Sequence, residues 1–142
     1  MLVRRAAAFV FAVTMAALVA CSSSSTGATT CNGQGQCVCN ESCSQKCESG
    51  TGGGCDLVCK DGKTCTFDCP GGNCRVSCEG KSTCDVACPK GGCTVAAGSG
   101  NLTVACGNLG TCTVGCQGAT KCTVDGKSAP NGSNPGDIDA GL

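Results

Sequence analysis

The chain has 142 residues, enough for one small domain with tails, and it contains 19 cysteines and 23 glycines. With three phenylalanines and no tryptophan or tyrosine, it cannot bury a conventional apolar core, so covalent staples are expected instead. Ten basic residues balance ten acidic ones, which excludes the basic surface typical of a nucleic-acid-binding protein. Because histidine is absent, an ordinary Ser-His-Asp or Cys-His catalytic arrangement is excluded too, and we expect no enzyme.

Residues 1–20 have the pattern of an export signal. Two arginines precede an apolar run from Ala6 to Ala17, and this run is shorter than the ~20 residues that span a bilayer. Leu18-Val19-Ala20-Cys21 follows and resembles the lipobox of bacterial lipoproteins. The resemblance implies cleavage after Ala20 and acylation of Cys21. An ordinary signal peptide cut at the same bond is the alternative, although such a site prefers a small residue where Leu18 stands.

The lipobox resemblance also implies a membrane partner and a location. Acyl chains such as palmitate on Cys21 would anchor the protein in a bilayer, and Ser22 after the cysteine favours the outer membrane. Residues 21–30 then form a serine-rich tether between lipid and domain. Nineteen cysteines less Cys21 leave 18, an even number that can pair fully in an oxidising compartment.

A repeat organises residues 55–126. Units of the form Cys-x-[Val/Leu/Phe]-x-Cys, some of them imperfect, begin at positions 55, 65, 74, 84, 93, 102, 112 and 122. The units at 55, 74, 93 and 112 are spaced by 19 residues, and the others follow with one slip. Within each unit, apolar residues or cysteines alternate with mostly polar residues, which indicates short strands with one buried face. Glycine, proline, aspartate and asparagine fill the corners between the units.

Two strands and two corners per 19-residue repeat predict an all-β fold, a small parallel β-solenoid of about four coils. Stacking of the coils would form two facing inner columns. One column contains Leu57, Val76, Val95 and Val114, and the other contains Phe67, Val86, Val104 and Val124.

Cysteines at the two ends of one strand lie ~13 Å apart, beyond the ~7 Å limit for a disulfide. They must pair either between coils or across a corner. One corner has Ala97 and Leu102 where the repeat predicts cysteines, and the loss of both together favours pairing across corners. That rule predicts Cys59–Cys65, Cys69–Cys74, Cys78–Cys84, Cys88–Cys93, Cys106–Cys112 and Cys116–Cys122. Extended upstream into less regular spacing, it predicts Cys31–Cys37, Cys39–Cys43 and Cys47–Cys55.

The two flanks of the repeat are less regular. Residues 31–54 are predicted to form an irregular disulfide cap on the first coil, because solenoids need protected ends. Residues 127–142, KSAPNGSNPGDIDAGL, are low in apolar content and are predicted to be a disordered tail.

Other chemical roles for the cysteines and the outward side chains fit the sequence less well. Metal-thiolate proteins also lack aromatic residues, but they favour Cys-x-Cys and Cys-x-x-Cys, and zinc sites use cysteines in fours. We therefore predict no metal and no cofactor.

Outward carboxylates are predicted at Asp56, Asp68, Asp85 and Asp125. Outward threonines are predicted at Thr66, Thr94, Thr103, Thr113 and Thr123. The threonine pattern resembles the ladders of disulfide-stapled ice-binding solenoids, although Asp56, Arg75 and Asp85 interrupt the columns.

The sequence therefore predicts a lipid-anchored envelope protein with a structural or interaction role. Broadly, the chain resembles the cysteine-rich, uncharacterised repeat lipoproteins of Gram-negative bacteria. The competing hypothesis is a surface binding module, such as an adhesin or an inhibitor. The envelope or surface partner that either role needs is not identified by the sequence.

Overall fold

The structure is a computed structural model, and it describes residues 29–31, 35–47, 54–107 and 111–129. These residues contain twelve β-strands and no helix. In chain order the strands are β1 (Thr29–Cys31), β2 (Gln36–Cys39), β3 (Cys43–Lys46), β4 (Asp56–Cys59), β5 (Thr64–Asp68), β6 (Arg75–Cys78), β7 (Thr83–Ala87), β8 (Thr94–Ala96), β9 (Asn101–Ala105), β10 (Thr113–Gly115), β11 (Lys121–Val124) and β12 (Lys127–Ser128).

The strands form two six-stranded sheets. Sheet A has the order β1-β2-β4-β6-β8-β10, and sheet B has the order β12-β11-β9-β7-β5-β3. From β2 to β11, each strand in one sheet is followed along the chain by a strand in the other. Neighbours within a sheet are parallel, except that β1 and β12 run antiparallel to β2 and β11. This arrangement confirms the predicted β-solenoid, with one strand of each coil in each sheet.

The predicted inner columns are confirmed by the strand register. In sheet A, Leu57, Val76, Val95 and Val114 lie opposite one another in adjacent strands. In sheet B, Phe67, Val86, Val104 and Val124 do the same. All eight side chains are buried, and cysteines make up most of the remaining core. The interior is therefore two narrow apolar columns with sulfur on either side.

The first coil corrects one prediction. Within the predicted irregular cap, β2 and β3 are regular strands that stack in parallel on β4 and β5. Cys37 lies opposite Leu57 and Gln45 lies opposite Phe67, so a cysteine and a glutamine occupy the inward positions that later coils give to aliphatic side chains. The prediction of irregular structure is wrong for these residues because the register continues without the aliphatic pattern. Solenoid packing therefore begins at β2, and β1 covers its sheet A edge.

The C-terminal end corrects a second prediction. Lys127 and Ser128 belong to β12, which pairs with β11, so the predicted disordered tail begins too early. The turn between β11 and β12 is Asp125-Gly126, with φ angles of 47° and 75°. Positive φ at both central residues is the type I′ geometry that Asp-Gly favours in a two-residue hairpin. The rest of the tail, residues 130–142, lies outside the described residues.

Candidate functional site

Disulfides at the corners are the dominant chemical feature of the solenoid. The structure joins Cys39–Cys43, Cys47–Cys55, Cys59–Cys65, Cys69–Cys74, Cys78–Cys84, Cys88–Cys93, Cys106–Cys112 and Cys116–Cys122. Their Cα–Cα distances lie between 5.9 and 6.4 Å, as disulfide geometry requires. These eight pairs are the ones that the corner rule predicts, and each joins the end of one strand to the start of the next.

The bonds form two ladders, one along each edge of the flattened coil. Ladder 1 lies where the chain passes from sheet A to sheet B and contains Cys39–Cys43, Cys59–Cys65, Cys78–Cys84 and Cys116–Cys122. Ladder 2 lies at the opposite edge and contains Cys47–Cys55, Cys69–Cys74, Cys88–Cys93 and Cys106–Cys112. Strand register aligns successive rungs, with Cys59 opposite Cys78 and Cys65 opposite Cys84.

Two predicted sites extend beyond what the structure describes. Cys37 is disulfide-bonded, and the backbone register places Cys31 opposite it in β1. The side chain of Cys31 lies outside the described part, so the Cys31–Cys37 bond stays a prediction. Cys21, the predicted lipidation site, lies outside the described residues as well.

Ladder 1 has a gap at the corner from Ala97 to Leu102, which we call the glycine corner. Leu102 is buried and lies in register between Cys84 and Cys122, so its side chain occupies the level of the missing disulfide. The chain between Ala97 and Leu102 is one residue shorter than the loop of Cys78–Cys84, which spans a sequence separation of 6. The corner of Cys106–Cys112 is longer by one than that of Cys88–Cys93, at 6 against 5. The second change restores the 19-residue spacing in sheet A.

Backbone contacts with the neighbouring coils close the glycine corner. The amides of Ser99 and Asn101 donate hydrogen bonds to the carbonyls of Gly80 and Ser82, at 2.6 and 3.1 Å. On the other side, the amide of Thr120 donates to the carbonyl of Gly100 at 2.8 Å. A Cβ at Gly100 would collide with the carbonyl oxygen of Ser82. Glycine is therefore required by the close approach of two backbones.

The stapled corners carry charged contacts between coils. Lys60 and Glu79 form an ion pair with a nitrogen–oxygen distance of 2.8 Å. Lys63 and Glu41 form a second pair at 3.3 Å, and the carboxylate of Asp61 accepts a hydrogen bond from the Lys81 amide at 2.7 Å. Each contact joins one corner of ladder 1 to the next, so the solvent-facing loops are tied along the solenoid axis.

Sulfur atoms from adjacent rungs come close together. The sulfurs of Cys39, Cys43 and Cys65 lie within 4.8 Å of one another, as do those of Cys69, Cys74 and Cys93. All six cysteines are disulfide-bonded, and a metal ion binds cysteine as the thiolate. In the oxidised protein these clusters therefore act as covalent staples.

The predicted carboxylates do not converge on one site. Asp56 is on sheet A, 3.8 Å from the guanidinium of Arg75, whereas Asp68 and Asp85 are on sheet B. Asp125 is a correction, because it lies in the type I′ turn and its carboxylate accepts a hydrogen bond from the Cys106 amide at 2.7 Å. Its carboxylate is therefore the hydrogen-bond acceptor for the backbone amide that follows the end of β9. Paired carboxylate chemistry needs two such groups facing one substrate, and these four are spread over two faces.

The outward faces of the two sheets differ. A hydroxyl-rich column on sheet B contains Ser44, Thr66, Asp85, Thr103 and Thr123. The corresponding column on sheet A contains Val38, Val58, Ser77, Ala96 and Gly115. Thr94 and Thr113 lie on sheet A beside Asp56 and Arg75. The predicted threonines are therefore divided between two faces, and Asp85 interrupts the only hydroxyl column that spans the described strands of sheet B.

Gln45 is a buried polar residue that the sequence did not reveal. Its side chain is 5% exposed at the start of the Phe67 column, and its Oε1 atom has no hydrogen-bond partner. Its Nε2 atom donates to the carbonyl of Lys46 at 3.4 Å. Period-2 alternation places position 45 inward once the register from Cys43 is known, which is the signal that could have found it.

Comparison with known proteins adds no identification. No known protein family, no curated protein and no solved structure matches the chain. The described residues include no helix with the length and apolar character that crossing a membrane requires.

Proposed function

We propose that this chain is a lipid-anchored protein of the bacterial envelope, placed at the outer membrane, with a structural or interaction role. The observation that carries the proposal is the state of the cysteines. All 17 cysteines whose side chains are described are disulfide-bonded, and 19 − 17 leaves only Cys21 and Cys31. So dense a set of disulfides forms and persists on the oxidising side of a membrane. That supports export, and the sequence around Cys21 supplies the motif for both export and anchoring.

The anchor is tested by intact mass spectrometry of the protein recovered from bacterial membranes. The expected mass is that of residues 21–142 with acyl chains on Cys21 and 18 hydrogen atoms fewer, because 18 of the 19 cysteines would be paired. Cys21→Ser should prevent acylation, so that no acylated mass is found for this variant. Ser22→Ala is the matched control and should leave acylation intact. An unacylated wild-type protein cleaved after Ala20 would contradict the anchor and support an ordinary signal peptide.

Sorting is tested separately from anchoring. Ser22→Asp should leave Cys21 acylated but retain the protein in the inner membrane, as the lipobox resemblance implies. Density-gradient separation of the two membranes measures the outcome, with Ser22→Ala as the control. An unchanged distribution of Ser22→Asp would overturn the outer-membrane assignment and leave the anchor itself standing.

A surface binding module is the second candidate, and the face of sheet B favours it. Its parallel strands present the hydroxyls of Ser44, Thr66, Thr103 and Thr123 in one register column, a rigid set of donors and acceptors. A photo-cross-linking residue at Thr103 should then capture an envelope partner, whereas one at Thr94 on sheet A should not. Cross-links from neither position would favour a purely structural role.

A further inference from the structure

The two ends of the solenoid have complementary steps. At the N-terminal end, sheet A extends one strand beyond the first coil, through β1, while sheet B ends at β3. At the C-terminal end the situation is reversed, because sheet A ends at β10 and sheet B extends one strand further, through β12. Both sheets contain six strands. A second copy placed head to tail would therefore meet the first along both sheets at once, without a gap in either.

Within the described residues, each sheet has two edge strands that are paired on one side only, β1 and β10 in sheet A and β3 and β12 in sheet B. Such edges expose unpaired backbone groups and are templates for pairing with another chain. In a head-to-tail stack, β12 of one copy would lie beside β3 of the next, and β10 would lie beside β1. At the ~4.8 Å spacing of strands, one contact would pair the two C-terminal edges of one copy with the two N-terminal edges of the next.

Charges at the two ends of sheet B are also complementary. At the N-terminal end, Glu41 precedes β3 and Lys46 ends it. At the C-terminal end, Lys121 begins β11 and Asp125 follows it. The order along the strand is thus negative-to-positive at one end and positive-to-negative at the other. Head-to-tail stacking places Lys121 on the side of Glu41 and Asp125 on the side of Lys46, with β12 between β11 and β3 and therefore about 9.6 Å between those two strands.

The inner column of sheet B ends in polar groups that fit the same contact. Gln45, with its unpartnered Oε1 atom, begins the column at the N-terminal end. At the other end, Lys127 lies opposite Val124 and is exposed, so its side chain is on the inner side of the sheet, beyond the last coil. In a stack, the Lys127 ammonium of one copy would be a donor next to the Gln45 Oε1 acceptor of the next copy, where the two inner columns meet.

We propose that the partner of these two ends is a second copy of this chain, and that the solenoid stacks head to tail into open-ended fibres. An interface between different patches on the two copies repeats indefinitely unless the rotation closes a ring. The proposal goes beyond an interaction role in general because it names the partner, the surface and the polarity of the assembly.

The experiment measures the size of residues 22–142 exported behind an ordinary cleavable signal peptide, so that neither acyl chains nor an uncleaved signal sequence can drive association. Sedimentation velocity over a wide concentration range at low salt should show species that grow beyond the dimer as concentration rises. Assembly should weaken at high salt because the end charges are screened. A monomer at all concentrations would overturn the proposal, and so would growth that stops at a dimer, which would indicate a closed two-fold contact.

One backbone group gives a sharp test of the edge contact. In the hairpin, Val124 is opposite Lys127 and the Ala129 amide donates to the Cys122 carbonyl at 2.9 Å. The intervening amide of Ser128 therefore points away from β11, towards the open side. Ser128→Pro should reduce association at least tenfold while the hairpin bonds remain. Ser128→Ala keeps the amide and should associate like the parent; equal association by both variants would contradict pairing at β12.

A charge exchange tests the polarity of the stack. Lys121→Glu should weaken association because it places a negative charge on the same side of the sheet as Glu41 of the next copy, two strands away. Combining Lys121→Glu with Glu41→Lys should restore association, whereas a contact that does not bring these ends together would leave the double variant as weak as the single one.

Deletion of residues 130–142 tests the other possible occupant of the edges, the C-terminal tail of the same chain. Association that appears only after this deletion would show that the tail covers an edge and would overturn the proposal.

Discussion

The corner from Cys78 to Cys84 and the glycine corner from Ala97 to Leu102 turn the chain between the same two sheets by different means. The first is closed by a disulfide across a loop of sequence separation 6, and its loop carries charged side chains. The second is one residue shorter and has no disulfide, so it is closed by the backbone hydrogen bonds to neighbouring coils that both corners make. A covalent bond within a coil permits a longer polar loop, whereas a corner without one depends on its neighbours for closure.

The difference also concerns cooperativity. A corner disulfide stabilises its own coil, because it closes a short loop within one turn of the chain. The glycine corner is stabilised only if the adjacent corners are already in place, since its partners are Gly80, Ser82 and Thr120. The stapled coils should therefore keep local structure independently, and the glycine corner should couple the two halves of the solenoid.

Complete reduction should have the largest effect. In the chain-entropy model each short loop contributes about 2 kcal/mol, so the eight disulfides with both partners described contribute roughly 16 kcal/mol. That exceeds the ~5–15 kcal/mol net stability of an ordinary domain. We expect the β circular dichroism signal to disappear on full reduction, with an oxidised sample in the same buffer as the control. Retention of the signal by the reduced protein would show that the apolar columns suffice.

Gly100→Ala should have the next largest effect. The added Cβ would meet the backbone of Ser82, which cannot move without disturbing the neighbouring corner, so we expect a loss of about 3 kcal/mol. Gly118→Ala is the matched control in the next corner. Its Cβ would meet only ordinary contacts, and a φ of 81° costs about 1–2 kcal/mol for alanine. Denaturant unfolding measures both, and equal losses would mean that the close approach is not required.

Copying the gap into a stapled corner should have a smaller effect. Cys78→Ala combined with Cys84→Leu reproduces the residues of the glycine corner without its glycines. Loss of the loop constraint costs about 2 kcal/mol, and burial of the leucine recovers about 1 kcal/mol. We therefore expect a net loss of about 1 kcal/mol in the free energy of unfolding, measured with urea.

The reverse exchange is the control for that variant. Ala97→Cys with Leu102→Cys should form a new disulfide, because a separation of 5 is already bridged by Cys69–Cys74 and Cys88–Cys93. The mass of this variant should therefore be two hydrogen atoms lower than expected with both new thiols free. A protein that keeps both thiols free would show that the shorter corner holds these positions outside disulfide geometry.

The repeat made the solenoid and the corner pairs predictable, and the departures from prediction have specific physical causes. Spacing of 19 residues fixed which strands stack, and the paired absence at Ala97 and Leu102 distinguished corner pairing from pairing between coils. The first coil escaped recognition because its inward residues Cys37 and Gln45 are not aliphatic. The Asp125-Gly126 hairpin carries a local turn signal that the low apolar content of the tail obscured.

The role of Gly98 and Gly100 could not be predicted from spacing. Glycine occurs in most corners of this chain, and only at some of these glycines, such as Gly98, Gly100 and Gly107, would a Cβ meet the backbone of the preceding coil. That contact depends on how far apart two coils lie at one corner, a distance that the sequence of a single coil does not contain. The gap in ladder 1 was visible in the sequence, but its replacement was visible only in three dimensions.

The charged contact at the stapled corners should have the smallest effect. Lys60 and Glu79 are both 42% exposed at the side chain, and an exposed ion pair contributes about 0.2–1 kcal/mol. Lys60→Met should therefore lower the free energy of unfolding by about 0.5 kcal/mol, and Lys60→Arg, which keeps the charge, should lower it less. The difference should vanish at high salt because exposed charges are screened. A loss comparable to that of Gly100→Ala would mean that the stapled corners also depend on their neighbours, and the contrast between the two kinds of corner would no longer hold.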